Sequence, residues 1–234
     1  MKRFWSEVSV GPDRVVALDG RPVRTPGRVP LALATETLAA AVADEWRAVG
    51  ETVDPRSMPL TGLANAAIDR IAPDPAPFAA GLARYGESDL LCYRAAGPEP
   101  LVERQAAAWN PPLAWARGRY DVHFAVATGV MHVAQPPLTI QRLGDAVAAR
   151  DAWTLAALSP VVTITGSLIL ALALAEEAMT AEVVWSASTV DEDWQAELWG
   201  VEPLAVQARV VRRAEFDAGV CFLEAVRAPS SGAG

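Results

Sequence analysis

The sequence predicts an α+β protein in which a small N-terminal antiparallel β meander with one covering helix precedes a larger all-helical domain. Three observations carry this. Apolar and polar residues alternate with period two over residues 4–33, the mark of half-buried strands. From residue 35 onward apolar residues recur at helical spacing. Between the meander with its first helix and the longer helical part, residues 51–59 carry Asp54-Pro55 and Met58-Pro59 and no periodicity. The expected domains are therefore 1–57, β-rich, and 58–234, helical.

In the meander, Phe4, Ser6, Val8 and Val10 line one face of a first strand, and Val16 and Leu18 one face of a second. Asp19-Gly20 follows; aspartate then glycine tolerates positive φ at both central positions of a tight hairpin turn. Pro26-Gly27 supplies the next turn before a strand at 29–33. So small a sheet needs a helix against it. Thr35 is placed to cap one whose Leu38, Val42, Trp46 and Val49 form an apolar stripe, with Gly50 past its end.

Beyond residue 58, Leu60, Leu63, Ala64, Ala67, Ile68 and Ile71 begin the helical grammar. Helices are expected at about 78–85 and 101–116, the latter broken or kinked at Pro111-Pro112. Residues 124–133 read as a short hairpin or an extended loop. Helices resume at 139–150, 153–162, 167–178, 180–189, 192–199 and 203–227, before a small, polar, frayed tail from Pro229. The stretch 154–175 is free of charge and long enough to span a bilayer. Ser159-Pro160 and the polar break at Thr163, Thr165, Gly166 and Ser167 instead predict two shorter buried helices meeting at a turn, so no membrane insertion is expected.

The chain is 52% hydrophobic with 21% charged residues, a composition that folds. Its formal net charge of −8 repels polyphosphates and no basic cluster offsets it, so no nucleic-acid partner is expected. Lys2 is the only lysine, which excludes a Walker loop, a kinase strand lysine and Schiff-base chemistry, and with them an ordinary nucleotide site. Signatures of dinucleotide binding, α/β-hydrolases and zinc proteases are also missing. No signal or transit peptide is read at the N-terminus.

His123 and His132 are the only histidines; a metal centre needs a further ligand near both, so neither metal nor cofactor is expected. Cys92, flanked by apolar residues, reads as a small buried hydrophobe, and Cys221 as a second reduced thiol. Seven of the eight tryptophans fall in expected helices, most of them core. Trp194 and Trp199 stand on different faces of a short acidic helix, so at least one is available to a partner. In that helix Asp191, Glu192 and Asp193 suit the positive end of the dipole. Glu197 does not: it lies near the end announced by Gly200 and four residues after Asp193. Either an arginine such as Arg209 or Arg212 neutralises it, or it serves binding.

Several segments also carry a family resemblance. They are Arg3-Phe4-Trp5, Leu18-Asp19-Gly20-Arg21-Pro22-Val23, Met58-Pro59-Leu60-Thr61 with Leu63-Ala64-Asn65 and Ala67-Ile68-Asp69-Arg70, and Asp89-Leu90-Leu91-Cys92-Tyr93-Arg94. Gln135-Pro136, Thr165-Gly166-Ser167 and Asp191-Glu192-Asp193-Trp194-Gln195 with Glu197 and Trp199-Gly200 complete the set. In order, as far as about Phe216, they resemble the mitochondrial and proteobacterial assembly chaperones of F-type ATP synthase that handle its α subunit. The resemblance implies an ATP-independent holding chaperone, not an enzyme, with the ATP synthase α subunit as partner until β displaces it. The arginine-rich composition and the absent presequence suggest a bacterial form in the cytoplasm. Glu197, Trp194, Trp199 and Asp193 are the candidate partner-binding residues. The alternative is a small-molecule enzyme using Cys92, His123 and acidic residues, which a concave polar pocket would favour; a broad apolar or charged groove favours the chaperone.

Overall fold

The computed structural model describes residues 2–129 and 131–229. It is α+β: a three-stranded antiparallel sheet at the N-terminus, then a mostly helical chain. Packing groups the residues into two compact units, one of Met1–Pro75, Asp151–Ala157 and Asp217–Gly234, the other of Ala76–Arg150 and Leu158–Phe216. The domain boundary read between residues 57 and 58 stands beside this grouping as a proposal. Residues 230–234, most of the expected tail, lie outside the described residues.

In the first unit the sheet has the order β1 (Val8–Val10), β2 (Val16–Leu18), β3 (Arg21–Pro22). Val8 pairs with Leu18 and Leu18 with Arg21, across a turn in which Asp19 and Gly20 both have positive φ, as the hairpin signal predicts. The strands are shorter than the alternation suggested. The Asp19 carboxylate takes the backbone N–H groups of Ser6 at 3.0 Å and Glu7 at 2.8 Å, so these donors serve the turn instead of a ladder. Residues 29–33 contribute only isolated bridges, Val15 to Ala32 and Arg24 to Pro30, because Pro30 has no N–H to donate.

The covering helix is α1 (Glu36–Ala48), with the Thr35 hydroxyl accepting the Leu38 N–H at 3.1 Å. It buries Leu38, Ala39, Val42, Ala43 and Trp46, and Trp46 meets Trp5 edge-on at 5.3 Å. The next helix, α2 (Pro59–Ala66), has no side-chain cap of its own. Glu45 of α1 supplies one, accepting the Leu60 and Thr61 N–H groups at 2.7 and 2.8 Å and the Thr61 hydroxyl at 2.7 Å. A π-helical turn, Ala67–Ile71, follows. Its Asp69 accepts from the Thr25 hydroxyl and the Gly27 N–H. A Cβ at position 27 would sit 2.5 Å from that carboxylate, which would have to shift to admit it.

The second unit contains most of α3 (Pro75–Ala83), then α4 (Glu99–Tyr120), α5 (Pro137–Ala148), α7 (Leu168–Ala175), α8 (Ala181–Ser188) and α9 (Val190–Trp199). The unit division falls within α6 (Ala152–Thr165) and α10 (Pro203–Arg227). Two expectations left with alternatives are narrowed here. Pro111 and Pro112 do not break α4, which runs through them; buried Trp109, Leu113 and Ala116 on either side hold the turns together. Of the two readings of residues 124–133, hairpin or extended loop, the described residues form no hairpin: β5 (Ala127–Thr128) pairs in parallel with the distant β4 (Tyr93–Arg94). The buried Gln135 amide accepts from and donates to the Ala125 backbone at 3.0 and 2.8 Å, tying the two ends of this loop together.

The charge-free stretch folds as expected into two helices, α6 and α7, joined where Gly166 adopts a φ of +66°. No helix among the described residues is long and apolar enough to cross a membrane. The turn is pinned by Asp89, fully buried, whose carboxylate accepts the Leu91 N–H at 3.1 Å and the Ile169 N–H at 3.0 Å. Burial outweighs these bonds and pushes its pKa up to about 6. Two segments distant in sequence, 89–91 and 167–169, thus meet at one carboxylate.

Candidate partner-binding site

The acidic helix α9 follows α8 almost without a break, and the two are separated only by Thr189. The Thr189 hydroxyl donates to Asp193 at 3.0 Å, and the Asp193 N–H returns to the Thr189 carbonyl at 2.9 Å. The first bond ties two side chains and the second is an ordinary helical one, so this helix start has no side-chain cap. Acidic side chains then gather in the first turn, where the dipole favours them.

Arginines from two other helices clasp this acidic face. From α10, Arg209 pairs with Asp193 and Arg212 with Glu192, the latter at 2.6 Å. The partner of Glu197 is neither of the two arginines suggested by sequence. Arg104 of α4 donates to it at 2.7 Å, and both side chains are exposed. That hydrogen bond holds the Glu197 carboxyl below the usual carboxylate range and raises the guanidinium of Arg104. The same guanidinium lies 4.9 Å from the centre of the Trp194 ring, a cation–π contact. Beside it, Gln105 donates to Asp191 at 2.7 Å.

Between α4, α8 and α9 opens a groove of about 640 Å³. Its floor is apolar, with Ala108, Pro112, Met179, Val183 and Val190; Arg104, Glu182, Asp193 and Glu197 supply its charge. Glu182 is held by Arg213 of α10, whose hydrogen bond lowers the carboxyl's pKa. Of the four candidates from sequence, Asp193 and Glu197 line this groove. Trp194 lines a second, more polar hollow of about 510 Å³ with Arg94, Gln105 and Asp191. Trp199 lines neither and is 77% exposed. Arg104 and Glu182 were missed. Each is an ordinary surface charge in its own helix, and only the packing of α4 and α8 against α9 brings it here.

Of the groups behind the enzyme alternative, Cys92 and His123 do not line these grooves with the acidic residues. Cys92 is buried, and desolvation reinforced by Asp89 pushes its thiol up to about 12, which withholds the thiolate needed for nucleophilic chemistry. His123 is exposed, with its backbone bonded to the Thr139 hydroxyl; His132 shares a hydrogen bond with the Tyr93 hydroxyl at 3.0 Å. Among the described residues no group of three or more His, Cys, Asp or Glu is placed to hold a metal ion. Trp5, Trp46, Trp109 and Trp185 are buried as core, half of the eight tryptophans and fewer than the majority expected.

Comparison with known proteins finds a matching family and similar solved structures. A family model described as the ATP12 chaperone protein matches residues 2–117. The crystal structure of Atp12 from Paracoccus denitrificans is similar over 97% of this chain and 98% of that one, with 41% identity and a TM-score of 0.90. A protein of Agrobacterium tumefaciens, proposed to be a chaperone, matches over 97% of this chain and 86% of its own at 40% identity, with a TM-score of 0.91.

Proposed function

This chain belongs to the ATP12 chaperone family, and from that premise we propose that it is an assembly chaperone of F-type ATP synthase, holding the α subunit until β replaces it. It works without a nucleotide cycle. The observation that carries this reading is the open apolar groove beside α9, rimmed by Glu197, Asp193, Glu182 and Arg104. An apolar floor ringed by exposed charge suits a protein surface that must be covered and later released. Glu197, Asp193, Trp194 and Trp199 contact the client in this proposal, and the bacterial origin of its relatives favours the bacterial cytoplasm as the place of action.

The test is aggregation of isolated ATP synthase α subunit, followed by light scattering with and without this protein and with no ATP present. Suppression at about one chaperone per α subunit is expected, and Glu197→Gln should weaken it while leaving the melting temperature little changed, since the Arg104 pair is exposed. Unslowed aggregation of α, with slowed aggregation of unrelated unfolded proteins, would replace the specific chaperone by a general holdase.

A further inference from the structure

Beyond the groove, residues 198–208 are exposed without interruption, across the end of α9, the Gly200 turn and the first turns of α10. Leu198, Trp199, Val201, Leu204 and Val206 in this run stand in solvent, and Val210 and Val211 continue the strip. Leu204 is 81% exposed. Leu204 and Val211, seven residues apart, share one face of α10, while Val206 and Val210, four apart, share another. The start of the helix therefore offers apolar side chains around much of its circumference. Concentrated apolar exposure of this kind marks a place where something docks.

The charges select the occupant. Between residues 198 and 208 the only ionisable side chain is Glu202, and it makes no ion pair among the described residues. An anionic bilayer is a poor match, because interfacial helices carry lysine or arginine on their polar face and this strip has none before Arg209. A second copy is a poor match too: each carries a net charge of −8, and copies repel. We infer that residues 198–211 dock an apolar segment of the α-subunit client that bears an arginine or lysine, set against Glu202. The inference rests on the α subunit being the client and adds a contact surface outside the groove.

The test measures the Kd of purified α subunit for the full-length parent, Leu204→Gln, Glu202→Gln and Glu202→Lys, at two ionic strengths. Leu204→Gln should weaken binding about tenfold or more, as loss of an anchor does. Glu202→Gln should reduce the salt dependence of binding, and Glu202→Lys should weaken it most at low salt. If the parent binds α and all three variants bind equally well, the docking surface is wrong while the chaperone reading survives. If the parent itself does not bind α, both fall together. A parent dimer that Leu204→Gln dissociates in light scattering, or parent binding to phosphatidylserine vesicles that Leu204→Gln abolishes, would overturn the inference by naming another occupant.

Discussion

Two apolar stretches of the second unit, α7 and the start of α10, read almost alike and end in opposite environments. The first is Leu-Ile-Leu-Ala-Leu-Ala-Leu-Ala, with residues 168–174 all buried. The second, residues 198–211, is nearly as poor in charge, yet its Leu204 and Val201 face water. The difference lies in the neighbours. α7 is capped by Ser167, tied to Asp89 through Ile169 and packed against α4 and α8. The start of α10 is held instead by the charged pairs of Arg209, Arg212 and Arg213 with α8 and α9. Apolar sequence kept dry serves stability; apolar sequence left wet is explained by a partner.

The sharpest way to break this contrast is truncation within α7. Leu170→Ala should cost about 2–5 kcal/mol, because the cavity left in a closed core cannot be filled by water or by large shifts. Equilibrium unfolding in urea checks it through a lower midpoint at unchanged slope. A loss near zero would mean that α7 is not the closed core its burial describes.

A smaller effect is expected at the carboxylate that anchors α7. Asp89→Asn leaves one of the two backbone N–H donors, from Leu91 or Ile169, facing an amide nitrogen, at a cost of about 1–3 kcal/mol. The pH dependence has a definite sign. Because the folded state raises the pKa of Asp89 from 3.8 to about 6, its protonated form adds stability that is fully present below the unfolded value and is lost as pH rises through about 6. Asparagine does not titrate, so the penalty of the variant should shrink between about pH 4.5 and pH 7.5. Parallel stability curves for parent and variant across that range would remove Asp89 from the titrating groups.

The smallest effect sharpens the comparison from the other side. Leu204→Ala should change unfolding stability by no more than about 0.5 kcal/mol, the usual range for a surface position. A loss comparable to that of Leu170→Ala would place Leu204 in a core and end its candidacy for docking.

Much of this architecture was legible in the order of residues, because it rests on local forces. Asp19-Gly20 makes its turn with neighbours one or two positions away, and Thr35 caps α1 from within three residues. The two short helices of the charge-free stretch follow from Gly166 and Ser167. α10 was likewise predictable from an uninterrupted helical pattern. The anomalous position of Glu197 was visible too, since dipole and spacing are properties of one helix.

What escaped was everything that depends on a partner far along the chain. β5 found β4 instead of folding on itself, Glu45 capped a helix it does not belong to, and Arg104 took the place expected of Arg209 or Arg212 beside Glu197. The strip around Leu204 carries the same apolar letters as a core helix, and its exposure is a matter of which elements pack over it. Helix, turn and cap are set by interactions among near neighbours, which a one-dimensional pattern records. Burial and charge pairing are set by groups brought together from many positions apart, and the groove with its arginine-bound acids exists only once those helices have met.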